Sequence, residues 1–520
     1  MTQQGRLLSI DVGTQSARAI VFDAQGRMLA KAQQVFEPTY ASPQPGWAEQ
    51  DPEAYWQGVV SCCNRLWAGG AVKPAEISGI SLTTQRATVV CVDAAGRVLR
   101  PAILWLDQRR CEQPPPMGLF WNTLFGIAGA TDLIAHLQGQ AEANWLAQHE
   151  PQLWRDTAKF LLLSGWLGYR LTGDYADSVG SQVGFIPFDY KRLAWALPGD
   201  FKWKALAVRP EQLPRLVPPG RPMGALAAAA AAELGLPPGV PVIAAAADKA
   251  CEVLGCGLLE PDVGQLSFGT TATINTTQGR YVEVQRMLPP YPAGLPQAYN
   301  TEIQIFRGFW MVSWFRREFG MREESLAKER GVAVEALFDE LVKAVPPGSM
   351  GLMLQPYWTP GVREPGPEAK GAIIGFGDVH TRAHVYRAIL EGLVYGLRAG
   401  REQIEKRIGQ RLRLLRVAGG GSQSDEALQI TADVFNLPAE RPEHYETSAL
   451  GAAISCAVGL GLHPDYPTAV AAMARIGRRF EPRPEVVKTY DALYREIYRG
   501  MYPRLRPLYR KIRRITGYPA

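Results

Sequence analysis

Two short passages, half a chain apart, share one design, and that repetition narrows the folds open to the chain. Leu7-Leu8-Ser9-Ile10 is apolar, Asp11-Val12-Gly13-Thr14-Gln15-Ser16 is a polar turn, and Ala19-Ile20-Val21-Phe22 is apolar again. Gly264-Gln265-Leu266-Ser267-Phe268, Gly269-Thr270-Thr271 and Ala272-Thr273-Ile274 repeat the plan. Short apolar runs around a Gly-containing turn read as strand, tight turn, strand. Two copies predict duplicated domains that face one cleft. A chain of 520 residues has room for about two to four domains. It can bury large cores without disulfide or metal staples.

Further strands are expected at 28–35, 77–82, 89–92 and 412–418, and helices at 141–148, 159–171, 382–407 and 425–435. Proline clusters near 114–116, 218–219, 237–238 and 289–290 mark loops. We expect a first domain over 1–254, a second over 255–470, and a basic helical segment over 471–520 packed on the second. That last stretch is more basic than the whole chain, whose net charge is +6: from 475 to 520 there are 13 Lys and Arg against 4 Asp and Glu, or +9, and the rest sums to −3. Tyr490, Leu493, Tyr494, Ile497 and Tyr498 recur there at helical spacing, which favours a packed amphipathic helix with a solvated basic face over a nucleic-acid-binding tail.

Seven cysteines are scattered with no Cys-x-x-Cys pair. His380-x-x-x-His384 lacks a third ligand, so a zinc site is not expected. The N-terminus has no basic region followed by a long apolar one, and no run of about 18 apolar residues occurs. The expectation is a cytoplasmic protein with neither membrane nor nucleic acid as partner.

Several residues could carry chemistry. Asp11, Gly13, Thr14 and Ser16 follow a strand, where backbone N–H groups and hydroxyls can cradle phosphate and a carboxylate can hold hydrated Mg²⁺; a plain hairpin is the alternative. Gly269-Thr270-Thr271 offers the same choice. Gly419-Gly420-Gly421-Ser422 lies between a strand and a helix start, where a nucleotide can come close to the backbone. It is neither a Walker loop nor a dinucleotide fingerprint. Asp248 ends the apolar run 242–247, where an acid can accept a proton or cap a helix. Thr84-Gln85-Arg86 and Trp105-x-Asp107-x-Arg109 also follow apolar stretches, a usual place for substrate contacts in open α/β folds.

In order along nearly the whole chain, these pieces resemble the FGGY family of carbohydrate kinases. Asp11 to Arg18 looks like the first phosphate segment. Gly46-Trp47-Ala48-Glu49-Gln50-Asp51-Pro52, Trp105-x-Asp107-x-Arg109, Leu171-Thr172-Gly173, Asp248, Gly269-Thr270-Thr271, Pro356-Tyr357, Arg387-Ala388-x-x-Glu391-Gly392, Gly419 to Ser422 and Ala449-Leu450-Gly451-Ala452-Ala453 follow in the expected order. The resemblance implies an α/β fold of two actin-like (RNase H-like) ATPase domains flanking a central cleft, which close on ATP, Mg²⁺ and a small sugar or polyol. Asp248 would be the base that deprotonates the substrate hydroxyl, and Asp11 would position Mg²⁺. Gly13, Thr14, Gln15, Ser16, Arg18, Gly269, Thr270 and Thr271 would hold phosphates, and Gly420, Gly421 and Ser422 would face adenosine. Gln85, Arg86, Trp105 and Asp107 would join Asp248 around the substrate. A homodimer is the assembly the resemblance allows.

The chain departs from the pattern at three places. Glycerol kinases have Arg-Glu where it has Arg86-Ala87, Lys249 follows the expected base, and Glu142 stands where Lys is common. Lys249 and Arg86 together raise the expectation of an acidic substrate such as an aldonic acid. Two other classes compete: a non-catalytic nucleotide-binding regulator with the same fold, and another actin-like ATPase such as a chaperone or filament protein.

Overall fold

The computed structural model of the chain describes residues 5–361 and 365–518. Two mixed sheets organise it. The first contains β1 (Arg6–Val12), β2 (Ser16–Asp23), β3 (Met28–Val35), β4 (Ile77–Thr84), β5 (Pro222–Ala225) and β6 (Pro241–Ala244), in the order β5-β6-β4-β1-β2-β3. The second contains β7 (Val263–Phe268), β8 (Ala272–Gln278), β9 (Tyr291–Pro292), β10 (Tyr299–Ile305), β11 (Leu414–Ala418), β12 (Ala439–Pro442) and β13 (Ile476–Phe480), in the order β9-β10-β8-β7-β11-β12-β13. In each, an antiparallel hairpin runs into two parallel strands: β2-β1-β4-β6 in one and β8-β7-β11-β12 in the other. The two Gly-Thr passages close equivalent hairpins, with Val12 facing Ala17 and Phe268 facing Ala272. The duplicated, two-domain actin-like plan expected from the sequence is the one observed.

Local sequence explains the supporting helices. α1 (Pro52–Ala68) starts at Asp51, whose carboxylate accepts the Glu53 N–H at 3.0 Å, and Pro52 occupies the first turn. Its buried residues Tyr55, Trp56, Val59, Cys62, Cys63 and Leu66 form one helical face against the first sheet. The run 159–171 was expected as one helix. Instead Lys159–Leu162 is a strand paired with Val89–Val92, and α2 (Leu163–Thr172) begins after it. A continuous apolar run has no period of its own, so the pairing partner decides its form.

The two sheets meet through two short helices. α3 (Asp248–Gly255) follows β6. α4 (Arg382–Ile408) and α5 (Asp425–Phe435) build the outer core of the second sheet, and α6 (Thr447–Gly459) follows β12. In α4 the buried Arg387 donates to Glu391 at 2.7 Å, to the Val342 and Val345 carbonyls and to Tyr490, so this pair serves packing. Tyr490, Tyr494 and Tyr498 of the C-terminal segment gather around Tyr395 of α4. No helix among the described residues is long and apolar enough to cross a membrane.

α3 and α6 cross at glycines. A Cβ on Gly451 would lie 1.9 Å from the Cys251 carbonyl oxygen, and one on Gly255 would lie 1.9 Å from the Thr447 carbonyl oxygen. Only hydrogen fits at either point. The crossing also exchanges cover between the halves. α6 belongs to the second half by sequence, yet Ala449, Leu450, Ala453 and Ile454 pack with Leu7, Ile20, Phe22 and Ile243 of the first sheet, and Ser9 Oγ donates to the Ala449 carbonyl at 2.8 Å. α3 comes from the first half, yet Val253 and Cys256 at its end pack on Val263, Leu414 and Ala418 of the second.

Gly451→Ala forces one backbone off another, with no flexible side chain to yield. Overpacking costs typically about 1–3 kcal/mol, and this contact belongs at the upper end. We expect an earlier urea unfolding midpoint. An unchanged midpoint would show that the crossing is looser than described.

Candidate active site

The first turn and its neighbours form one hydrogen-bonded set. The Gly13 N–H donates to the Ser16 carbonyl at 3.0 Å, closing the hairpin. Thr14 donates to the Gln85 side-chain oxygen, Gln85 Nε2 donates to Tyr55 at 3.0 Å, and Trp105 Nε1 donates to Thr14 Oγ1 at 2.9 Å. Ser16 Oγ accepts from Gln33 at 3.1 Å, and Gln15 uses its carbonyl to hold Phe36 N–H at 2.9 Å. Thr14, Gln85 and Trp105, drawn from three separate passages, are thus joined at the end of the first sheet.

Asp11 lies at that same end. Arg18 Nη1 donates to its Oδ2 at 3.1 Å, and Arg18 Nε stands 3.8 Å from Glu446 Oε2. Lys31 also pairs with Glu446. Burial pushes the Asp11 carboxyl up to about 6; Arg18 opposes the rise, while Asp248 and Glu446 add to it. A buried carboxylate whose ionised form is disfavoured by burial and by neighbouring acids suits a hard divalent cation, which would offset that cost. Mg²⁺ typically takes one or two carboxylates and keeps its waters and phosphate oxygens, so Asp11 fits it.

Across the cleft, both halves line one small cavity of about 10 Å³. Arg86, Val183, Ala247 and Lys249 come from the first, and Asn275 and Glu302 are among those from the second. Asp248 opens α3 next to this cavity, with its Oδ1 accepting the Lys249 N–H at 2.7 Å. Burial raises the Asp248 carboxyl above the usual carboxylate range, against the pull of Arg86 and Lys249. Arg86 Nη2 reaches the Glu302 oxygens at 3.2 and 3.4 Å, and its guanidinium lies 4.8 Å from the centre of the Tyr291 ring. Lys249 Nζ donates to Glu252 at 2.8 Å and to Ser267 Oγ at 2.7 Å. Both cations that suggested an acidic substrate are therefore already paired with carboxylates of the chain.

The second turn and the glycine run lie side by side. The Gly269 carbonyl accepts the Phe309 N–H at 3.0 Å, and Thr271 Oγ1 donates to the Phe306 carbonyl at 3.1 Å, while Thr270 is exposed. Gly419 has φ +86° and sits against the Phe268 backbone, and a Cβ on Gly421 would strike the Phe309 ring at 2.3 Å. A Cβ on Gly420 would meet nothing within 4 Å. Ser422 is buried with its hydroxyl on the Gly419 carbonyl at 2.7 Å. Beside this turn lies a cavity of about 280 Å³ lined by Ser422, Gln423, Arg441, His444 and Tyr445 among others.

Asp107 is placed differently from its neighbours. Its Oδ1 accepts the Arg109 N–H and Nε at 2.8 Å each, and its Oδ2 accepts the Ala48 N–H at 2.6 Å and Arg109 Nη2 at 2.7 Å. Arg109 also donates to Glu49 at 2.8 Å and lies 3.9 Å from the centre of the Trp47 ring. Both Asp107 oxygens are thus spent inside the fold, in a core built by the Trp47-Ala48-Glu49 passage. The carboxylate holds the turn that aims Trp105 rather than facing the cleft itself. Glu142 stands beside this cluster, and burial pushes its carboxyl up to about 8.

Sequence reading missed Glu302, Asn275, Tyr291, Lys31 and Glu446. Glu446 could have been found from the duplication, since it precedes α6 where Asp248 opens α3. Glu302 had no comparable signal, because only strand pairing and domain closure bring it opposite Arg86. His384 Nδ1 accepts the Thr381 N–H at 3.1 Å and so caps α4.

Residues 6–255 match the N-terminal domain, and residues 264–460 the C-terminal domain, of the FGGY family of carbohydrate kinases. The uncharacterized sugar kinase YgcE of Escherichia coli (strain K12) is 30% identical over 496 residues, covering 95% of this chain and 93% of that protein. The glycerol kinase of Dechloromonas aromatica is 30% identical over 491 residues, covering 92% and 93%. The crystal structure of xylulose kinase from Rhodospirillum rubrum superimposes with a TM-score of 0.79 at 27% identity, over 97% of this chain and 100% of that one.

Asp107→Ala would leave Arg109 short of its main partner in a buried setting. Breaking a buried pair costs about 3–5 kcal/mol. We expect a loss of that order in urea unfolding, and a loss below about 1 kcal/mol would show that the carboxylate is not structural.

Proposed function

The chain belongs to the FGGY family of carbohydrate kinases, and from that membership we propose how its own residues carry the reaction. It is an ATP-dependent carbohydrate kinase that transfers a phosphoryl group to a hydroxyl of a sugar or polyol. The non-catalytic regulator and the chaperone or filament ATPase have no support.

Asp248 is the general base in this reading. The observation that carries the assignment is its place at the start of α3, beside a cavity lined by both halves and within the influence of Arg86. The substrate hydroxyl gives its proton to the Asp248 carboxylate as its oxygen bonds to the γ-phosphorus of ATP. The bond from that phosphorus to the β,γ-bridging oxygen breaks, ADP leaves, and the proton passes from Asp248 to solvent. The Thr14 N–H and those of Gly269-Thr270-Thr271 hold phosphates from the two halves, while the Gly13 N–H closes the hairpin that presents them; Ser16 and Arg18 are in support. Gly420, Gly421 and Ser422 flank adenosine. Asp11 holds Mg²⁺, which when bound offsets phosphate charge. Gln85 and Trp105 orient the acceptor through Thr14. All seven cysteines are free and buried, which suits the reducing cytoplasm where ATP is available.

A coupled ADP-release assay over ketopentoses, polyols and aldonic acids tests the assignment. Asp248→Asn should lower kcat by about 10²–10⁴-fold while ATP affinity stays within about threefold. Turnover needs the ionised carboxylate, so the rate rises with pH through a pKa above the ordinary value near 3.9. Arg86→Leu moves that limb to higher pH, because the guanidinium favours the ionised form. A variant at position 248 that keeps turnover within tenfold of the parent rejects Asp248 as base. Gly420→Val tests the nucleotide side. The new side chain enters open space, so the melting temperature should hold while ATP binding weakens at least about tenfold; intact ATP binding would remove Gly420 from the site.

A further inference from the structure

The Arg86–Glu302 pair is not explained by folding alone. Arg86 extends from the end of the first sheet, and Glu302 lies on β10 of the second, 216 positions away in sequence. Its partner across the sheet is Asn275, which lines the same cavity. The Glu302 side chain is 3% exposed and that of Arg86 19%. A buried ion pair between two bodies is costly to desolvate and gives little net stability. It does fix the charge that any ligand entering the cavity will meet.

The charges around the cavity are Arg86 and Lys249 against Asp248, Glu252 and Glu302, an excess of one negative. The second cation is committed as firmly as the first. Lys249 is held by Glu252 and Ser267, and although burial works against its charge, Glu252 and Asp248 outweigh it and raise its pKa. A carboxylate on the acceptor would have to displace Glu302 from Arg86. That would leave Glu302 buried and unpaired beside the incoming carboxylate, and like charges brought together out of water repel strongly. A neutral diol needs no such exchange, because one hydroxyl can donate to Glu302 while another accepts from Arg86. The cavity in this conformation holds about one water, so its walls must open to admit any substrate.

We propose that Glu302, delivered from the second domain, is a specificity residue that occupies Arg86 and restricts the acceptor to uncharged polyhydroxyl compounds. This rests on the kinase reading above and names the substrate class of that site.

The test compares the full-length protein with Glu302→Gln, an isosteric change that removes only the charge. Xylitol and D-gluconate are titrated calorimetrically without ATP, so the result does not depend on Asp248 acting as base. ADP release is then measured with D-xylulose, glycerol and D-gluconate. The parent should favour the neutral compounds, and Glu302→Gln should raise the ratio of acid to neutral affinity at least about tenfold, with the change in KM more than kcat. Adding Arg86→Gln to Glu302→Gln should return the ratio to within about threefold of the parent, which a general packing defect would not do. A parent that prefers D-gluconate, or a Glu302→Gln protein with no gain for D-gluconate over xylitol, overturns the proposal. Binding ratios as expected, together with an Asp248→Asn variant that keeps turnover within tenfold of the parent, would fault the Asp248 assignment alone.

Discussion

The site depends on a contact between two backbones. α3 and α6 touch where Gly255 meets Thr447 and Gly451 meets Cys251, at distances no side chain could occupy. Each helix follows an equivalent parallel strand of its own sheet and then helps cover the other sheet. The acid that opens α3, Asp248, therefore faces the cleft because the crossing fixes its helix. Glu446 stands at the matching point before α6 and reaches Arg18 and Lys31 on the opposite side. The duplication thus places one acid at each helix start, and divergence gave them different neighbours.

Electrostatics in the cleft follow from burial more than from any single ion pair. Asp11 and Asp248 both hold protons more tightly than free carboxylates do, and desolvation is the largest cause for each. Cations from the chain reduce the penalty without removing it. Such a site is poised for further positive charge near Asp11 and for a proton at Asp248. Strand pairing brings Glu302 in from the other half, so the charge balance near Asp248 belongs to the two-domain assembly and not to either sheet alone.

Much of this was legible from local pattern. The two Gly-Thr hairpins, the strands at 28–35 and 89–92 and the helix at 425–435 lie where turn chemistry and hydrophobic period place them. The failures are equally physical. The run 159–171 opens with Lys159 and then four unbroken apolar residues, Phe160 to Leu163, so no period could separate strand from helix there. Asp107 follows an apolar stretch as a ligand contact would, but Arg109 two residues on consumes it. Lys249 and Arg86 looked like free cations because their partners, Glu252 and Glu302, are visible only once side-chain direction and domain closure are known.

The exchange of cover between the halves sets a schedule for the growing chain. Ser9 finds its partner at Ala449, 440 positions later. At about 5–20 residues per second, the ribosome takes roughly 20–90 s to supply α6. Until then the face carrying Leu7, Ile20, Phe22 and Ile243 has no permanent lid. Contacts of such long range slow folding and prolong exposure of apolar surface. The first half therefore keeps this apolar face uncovered until the second half has been made.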